Sequence, residues 1–176
     1  MNTTLQGSNV TINPDGKSRG FRVARENTLT VNHLTVSNGS QVRGGAVYLE
    51  AGSGLIANNA TFTNNEVEVD GGAIAVFNFE EGEPRATITL NNSTITGNRA
   101  DAGAGVFILG GNANISDSNI SNNTVSSSSG GGGLFLRQGQ FVLNRVTIDS
   151  NQQLTDDFTS GGGLSFSSRG GSLEIV

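Results

Sequence analysis

Short segments of alternating apolar and polar residues recur along the chain, and each group of segments opens on glycines. In one copy, Val47 and Leu49 alternate with Tyr48 directly after Gly44-Gly45-Ala46. Such a period of two predicts a β-strand that buries one face. Copies of this signature begin at Ser18, Gly44, Gly71, Gly103, Gly131 and Gly161. A signature that returns every few dozen residues predicts a repeat architecture.

Two further strands follow each signature, with a two-residue corner between them. In the copy that begins at Gly44, Leu55-Ile56-Ala57 precedes the corner Asn58-Asn59, and Ala60-Thr61-Phe62-Thr63 follows it. Asn64-Asn65 then closes the unit, and a longer loop leads to the next glycines. The equivalent second strands are Leu29-Thr30-Val31, Ile88-Thr89-Leu90, Ala113-Asn114-Ile115, Phe141-Val142-Leu143 and Leu173-Glu174-Ile175. The equivalent third strands are Leu34-Thr35-Val36, Ser93-Thr94-Ile95, Ser118-Asn119-Ile120 and Val146-Thr147-Ile148.

The two-residue corner indicates how these strands pair. Asn dominates it, and Asn tolerates the left-handed conformation of a tight bend while its amide bonds to nearby backbone. A two-residue hairpin would join antiparallel strands. The β-branched strands and the recurring Asn instead favour a bend between different sheets, so that equivalent strands of successive units pair in parallel. Asn side chains at one height then form a hydrogen-bonded ladder.

The pattern resembles the right-handed parallel β-helix of the pectin-lyase-like superfamily. Phe62-Thr63-Asn64-Asn65 followed by Gly71-Gly72-Ala73-Ile74 is similar to the FxxN and GGAI motifs of the chlamydial-type polymorphic outer-membrane protein repeat. The resemblance covers about residues 10–176, with Ile in place of Phe at Ile95, Ile120 and Ile148. It implies an all-β fold, a single-stranded right-handed parallel β-helix of about six coils with three strands per coil.

We expect one domain over residues 1–176, in which residues 1–17 form a partial coil or cap and the last coil is incomplete. The inward side chains of one layer are predicted to be Val47, Leu49, Leu55, Ala57, Ala60 and Phe62. Those of the next layer are predicted to be Ile74, Val76, Ile88, Leu90, Ser93 and Ile95. No layer can bury its apolar face alone, so we expect neighbouring coils to supply the stability.

Composition and charge narrow the possible functions. The chain has no Cys, which excludes disulfides and thiolate chemistry. Its net charge of −5 argues against a nucleic-acid partner. No apolar run is long enough for direct membrane insertion. The first residues lack the features of a signal peptide, so we expect that the protein either stays inside the cell or has lost its signal from this chain.

Polar side chains of the third strands are predicted to line up on the solvent side. Thr61 and Thr63 of one coil would lie beside Thr94 and Thr96 of the next. Some β-helical ice-binding proteins display such Thr-x-Thr arrays. The alternative is ordinary β-propensity at solvent-facing positions, which Asn119 and Asp149 favour by interrupting the array.

Aromatic side chains are predicted to line up on the outer side of the first strands, at Tyr48, Phe107 and Phe135. Stacked exposed aromatics are typical of surfaces that bind sugar rings or a partner protein. Alternatively, the long loop from Phe77 to Arg85 folds over them and makes a satellite core.

Acidic residues do not form an obvious active site. Polysaccharide-cleaving enzymes of the superfamily that the chain resembles use clustered Asp, with Ca²⁺ and an Arg base or acting directly on the glycosidic bond. Here the acids are scattered over loops at Glu66, Glu68, Asp70, Asp101, Asp156 and Asp157. Asp70, Arg99 and Asp101 form the best local group, which falls short of the 6–8 oxygens that Ca²⁺ requires. His33, the one His, occupies a corner position. We therefore predict no catalytic residues, no metal site and no cofactor.

These observations favour a non-catalytic structural or adhesive β-helix module of a secreted or surface-displayed protein, located outside the cell or on its surface. Possible partners are a glycan, a host or cell-surface protein, and further copies of the chain that pair with open β-helix ends. The alternatives are a polysaccharide-binding or polysaccharide-degrading β-helix, and an ice-binding protein that uses the Thr array.

Overall fold

The computed structural model describes residues 2–78, 82–127, 130–155, 161–168 and 170–176, and every regular element in these ranges is a β-strand. In chain order the strands are β1 (Asn2–Ile12), β2 (Phe21–Val23), β3 (Thr28–Ser37), β4 (Ser40–Arg43), β5 (Val47–Leu49), β6 (Gly54–Asn58), β7 (Thr61–Thr63), β8 (Glu66–Asp70), β9 (Ile74–Phe77), β10 (Ala86–Asn91), β11 (Thr94–Thr96), β12 (Arg99–Ala100), β13 (Val106–Leu109), β14 (Gly111–Ser116), β15 (Asn119–Ser121), β16 (Thr124–Val125), β17 (Leu134–Arg137), β18 (Gln140–Asn144), β19 (Thr147–Asp149), β20 (Gln152–Gln153), β21 (Leu164–Ser167) and β22 (Ser172–Ile175). Within the described part of the chain, no helix has the length and apolar character needed to cross a bilayer.

The strands form three sheets with parallel pairing, which confirms the parallel β-helix of about six coils. The first-strand sheet has the order β2-β5-β9-β13-β17-β21. A larger sheet has the order β19-β15-β11-β7-β3-β6-β10-β14-β18-β22, with β1 paired to β3. This sheet contains both the stack of predicted second strands and the stack of predicted third strands. The two stacks form one sheet because β3 runs unbroken through its corner and belongs to both.

The third sheet, which we call the return sheet, consists of β4, β8, β12, β16 and β20. The sequence predicted a loop here, but Glu66–Asp70 is the strand β8. On one side of it, β12, β16 and β20 have two residues each, which is too short for an alternating pattern. Three sheets therefore fit three strands per coil, with a return strand where the sequence predicted a loop.

The core consists of side chains that stack in columns, one from each coil. Leu29, Leu55 and Ile88 are aligned in adjacent strands, and Phe62 is aligned with Ile95. All twelve side chains that the sequence placed inside the two layers are at most 2% exposed. This burial confirms the inward list, including Ser93, whose hydroxyl donates to the Ala57 carbonyl.

The corner between second and third strands bends through one left-handed residue in each coil. Its φ is 55° at His33, 51° at Asn59 and 48° at Asn92. The preceding Asn residues form the expected ladder. Asn58 Nδ2 donates to Asn32 Oδ1 at 2.8 Å, and Asn91 Nδ2 donates to Asn58 Oδ1 at 2.8 Å. The bend and the ladder thus coincide, as the sequence predicted.

A second Asn ladder lies at the corner after the third strand, and we call it the enclosed ladder because three of its four members are buried. Asn65, Asn98 and Asn123 are at most 1% exposed. Asn65 Nδ2 donates to Asn98 Oδ1, Asn98 Nδ2 to Asn123 Oδ1 and Asn123 Nδ2 to Asn151 Oδ1, each at 2.9 Å. Because buried amides without partners are costly, this ladder fixes the height of each coil relative to the next.

The loop after β9 extends along the rod as a strap, and its residues 82–85 are described. Glu83 forms an ion pair with Arg25, and the Pro84 carbonyl accepts the Gly52 N–H at 2.8 Å. In the opposite direction, Arg85 Nη1 donates to the Gln138 carbonyl. The strap therefore contacts coils on both sides of its own.

Candidate ligand-binding surfaces

The predicted aromatic column lies on the outer side of the first-strand sheet. Tyr48, Ala75, Phe107 and Phe135 are aligned in successive strands. The rings of Phe107 and Phe135 are 4.8 Å apart and within 7° of parallel. Phe77, two residues after Ala75, extends the series to Phe107 with a centroid separation of 6.2 Å. We call Phe77, Phe107 and Phe135 the aromatic stack.

Much of this stack is a satellite core. Phe107 is 5% exposed and packs with Ala102 and Leu109, while Phe77 and Phe135 are half-buried around it. The rings face one another, so their edges point to the surroundings. Sugar rings usually lie against aromatic faces, and this surface offers mainly edges.

Arginine side chains accompany the aromatic residues on this face. The Arg19 guanidinium lies 4.9 Å from the centre of the Tyr48 ring, and that of Arg43 lies 4.0 Å from the centre of the Phe77 ring. Arg137, two residues after Phe135, projects from the same side of its strand. Burial lowers the pKa of Arg19, an effect that Tyr48 partly offsets. Arg43 is also held by Asp70, because its Nε donates to Asp70 Oδ2 at 2.8 Å.

Asp70 is the most enclosed carboxylate described near the stack, with 8% exposure. Burial raises its pKa, the hydrogen bond from Arg43 opposes this effect, and Asp101 adds to it. Arg99 does not pair with Asp101 as the sequence grouping suggested. It lies 3.6 Å from Glu66, and Asp101 accepts a hydrogen bond from Ser126. The predicted group is therefore split into separate pairs.

No group of three or more His, Cys, Asp or Glu side chains suited to a metal ion occurs among the residues that the structure describes. Asp156 and Asp157, which the sequence analysis considered, lie outside them. Glu68 is exposed on the return sheet, and His33 lies at its corner beside Asn9 and Asn59, where it lines a shallow polar hollow.

The threonine array has the predicted alignment. Thr61 lies beside Thr94 and Thr63 beside Thr96, and all four side chains are half-exposed. The next coil places Asn119 and Ser121 in these columns, and the following coil places Thr147 and Asp149 there. The array is thus regular over two coils and interrupted beyond them.

The arginines of the aromatic face were not among the site residues predicted from the sequence. Arg137 could have been found, because a period of two places it on the same side as Phe135. Arg19 and Arg43 precede the strands of their own coils and lie over rings of the following coils, so only the stacking of coils reveals them.

Comparison with known proteins gives one family match. Residues 59–76 match the model of the Chlamydia polymorphic membrane protein repeat. No curated protein and no solved structure shows a significant match. The wider pectin-lyase-like superfamily is not named by this match and stays a prediction.

The matched segment contains the residues that shape the coil. Phe62 is buried in the core, and Asn65 belongs to the enclosed ladder. Gly71 has φ = 68°, and a Cβ on Gly72 would lie 2.4 Å from the Ala104 carbonyl oxygen. The resemblance inferred from the FxxN and GGAI motifs is confirmed over this stretch, and Phe62, Asn65, Gly71 and Gly72 each have a structural reason.

Proposed function

We propose that this chain is a non-catalytic adhesive module of a surface-displayed protein. The observation that carries the proposal is the match of residues 59–76 to a polymorphic membrane protein repeat, within a parallel β-solenoid of about six coils. Family match and fold together fit a repeat module of a surface protein, and the family match supports an outer-membrane or cell-surface location.

The shape of the chain supports an adhesive role. Two Asn ladders, continuous apolar columns and the strap at Glu83–Arg85 connect every coil to its neighbours. A rod held in this way presents its long faces at a fixed geometry, with successive strands about 4.8 Å apart. Preorganised faces bind with little loss of conformational entropy, which suits attachment.

The charged side chains also favour this role over catalysis. Arg22 pairs with Glu50, Arg99 with Glu66, and Arg145 with Asp117. These ion pairs connect adjacent coils. Their carboxylates therefore serve the structure and are already paired with arginine side chains.

Adhesion can be tested with beads coated with the folded chain and incubated with cultured animal cells under flow. We expect more beads to be retained than when the coating is the same chain unfolded by heat. Equal retention of the two coatings would contradict the proposal. To test for enzymatic activity, the chain is incubated with polygalacturonate and the reducing ends are measured. Release of reducing ends would favour a polysaccharide-degrading function.

The aligned side chains of Thr61, Thr63, Thr94 and Thr96 support a second candidate, ice binding. It predicts thermal hysteresis in a solution of the chain, lost in Thr61→Tyr and Thr94→Tyr. Absence of hysteresis from the parent chain would eliminate this candidate and leave the adhesive proposal untouched.

A further inference from the structure

Two guanidinium groups on the outer side of the first-strand sheet have no acceptor among the described residues. Those of Arg22, Arg25, Arg43, Arg99 and Arg145 each pair with a carboxylate, and that of Arg85 donates to a carbonyl. Arg19 lies on the Tyr48 ring, and no described residue accepts a hydrogen bond from it. The Nε of Arg137 is buried and has no hydrogen-bond partner. Among the described residues, these two unpaired cations therefore lie on one face of an acidic chain.

This arginine–aromatic face consists of Arg19, Tyr48, Phe77, Phe135 and Arg137. Tyr48 and Phe135 are three coils apart, which is roughly 14 Å at the usual strand spacing. The half-buried edges of Phe77 and Phe135 lie between the two cations. Ring edges carry the positive part of the aromatic quadrupole, so they too favour a neighbouring carboxylate.

We propose that this face binds an acidic polypeptide segment in which two carboxylates flank apolar side chains. An extended peptide rises about 3.3 Å per residue, so carboxylates four residues apart span about the distance from Tyr48 to Phe135. Arg19 lies on Tyr48 and Arg137 lies two residues beyond Phe135, within reach of the flexible glutamate side chains. The guanidinium groups take the carboxylates, and the ring edges of the aromatic stack take the apolar side chains. This inference rests on the proposed adhesive function and names the chemistry of its partner.

A peptide fits the face better than an acidic glycan. Both faces of Phe77 and of Phe107 are covered by a neighbouring ring or by Arg43, and one face of Phe135 contacts Phe107. The stack therefore offers sugar rings no continuous platform. Edges surrounded by methylene and guanidinium groups match the branched or aromatic side chains of a polypeptide.

Fluorescence anisotropy with a labelled synthetic peptide tests the proposal. The peptide carries two glutamates four residues apart, with phenylalanine and leucine between them, and the matched peptide has glutamine at both glutamate positions. We expect the acidic peptide to bind the intact chain and the glutamine peptide to bind at least about tenfold more weakly, because charge-assisted hydrogen bonds are lost.

Variants then locate the site. Arg137→Gln should weaken binding of the acidic peptide about tenfold. Arg99→Gln makes the same substitution on the exposed return sheet and should leave the affinity unchanged. Circular dichroism verifies that both variants are folded. Equal weakening by both variants, or equal binding of both peptides, would overturn the proposal.

The remaining outcomes separate this inference from the adhesive function. If beads adhere to cells but the acidic peptide does not bind, the inference fails and the adhesive function stands. If beads do not adhere, the adhesive function fails regardless of the peptide result. Binding of oligogalacturonate in place of the peptide, or a chain dimer in sedimentation that Arg137→Gln abolishes, would each overturn the peptide assignment.

Discussion

Asn98 donates from both its backbone nitrogen and its Nδ2 to the same oxygen, Oδ1 of Asn123, at 3.1 and 2.9 Å. Its own Oδ1 accepts from the backbone nitrogen and Nδ2 of Asn65 in the preceding coil. One buried amide thus joins three coils.

Asn98→Ala should therefore destabilise the fold strongly. The substitution leaves the buried Asn65 N–H without its acceptor and removes the Nδ2 donor from the Phe62 carbonyl, whereas Asn123 Oδ1 keeps the backbone N–H of residue 98. Each unsatisfied buried group costs about 1–3 kcal/mol. We expect a loss of about 3 kcal/mol in the free energy of unfolding, measured by urea denaturation. Asn114→Ala, at an exposed position of β14, is the matched control and should change stability by less than about 0.5 kcal/mol. Similar losses for both variants would mean that the enclosed ladder contributes little.

The two ladders illustrate how far the sequence leads. The corner at Asn58-Asn59 was predicted with its left-handed residue and its Asn stacking, because both follow from local conformational preference. The enclosed ladder at Asn65 was not predicted, although the Asn is visible in the sequence. Nothing local distinguishes an Asn that points inward from one that points to solvent.

The candidate surfaces show the same difference between features that local sequence determines and features that depend on long-range structure. The alignment of Phe107 with Phe135 follows from strand period and repeat length, so it could be predicted from the sequence. The position of Arg19 over Tyr48 depends on where the chain enters the next coil, a long-range property that no local pattern encodes.

Phe107→Ala should lower stability although Phe107 belongs to the candidate binding column. The side chain is 5% exposed and lies between Phe77 and Phe135. Removal of a buried Phe side chain costs about 3–5 kcal/mol, and we expect the lower end because the cluster lies outside the main core. Thermal denaturation monitored by circular dichroism measures the effect. Phe135→Ala, whose side chain is half-exposed, should cost less, and the opposite order would show that the stack is solvent-exposed.

Asp117 and Asp70 should titrate on opposite sides of the usual aspartate pKa of 3.8. Hydrogen bonds from Arg145 lower the pKa of Asp117, whereas burial raises the pKa of Asp70. Carboxyl carbon chemical shifts measured by NMR across acid pH give both values. If both pKa values lay on the same side of 3.8, the burial of Asp70 or the hydrogen bonds from Arg145 to Asp117 would be contradicted.

The two shifts have opposite consequences for stability. The contribution of Asp117 is complete above the pKa of the unfolded chain and is lost as the pH falls through its lower native pKa. Asp70 binds its proton more tightly in the native state, so its contribution is complete below the unfolded pKa and is lost as the pH rises through the raised native value. Asp117→Asn should abolish the loss of stability at low pH that is due to Asp117. It should leave the pH dependence of stability that is due to Asp70 unchanged.

Gly72→Ala should destabilise the bend before β9. A Cβ there would lie 2.4 Å from the Ala104 carbonyl oxygen and 2.8 Å from that of Arg99, both of which are backbone atoms held in parallel pairing. We expect a loss of about 2 kcal/mol, typical of an overpacked interior, measured by urea denaturation. Gly163→Ala is the control, because the nearest atom to its Cβ is the Ile148 Cγ2 methyl at 3.3 Å. A neutral Gly72→Ala would mean that the adjacent coils can separate locally.

Excision of one entire coil, residues 103–130, should leave a folded and shorter rod. The excision joins Ala102 to Gly131, which has the same left-handed conformation as Gly103, with φ of 66° and 55° respectively. Leu134 then pairs with Ile74 in the column where Val106 stood, so register and burial are preserved. Small-angle X-ray scattering should show a rod shorter by about 4.8 Å, with unchanged β-sheet circular dichroism. Excision of half a coil, residues 103–116, removes the first and second strands but leaves the third, and it should abolish cooperative unfolding. If both excisions behave alike, the coils are not the interchangeable units that the columns indicate.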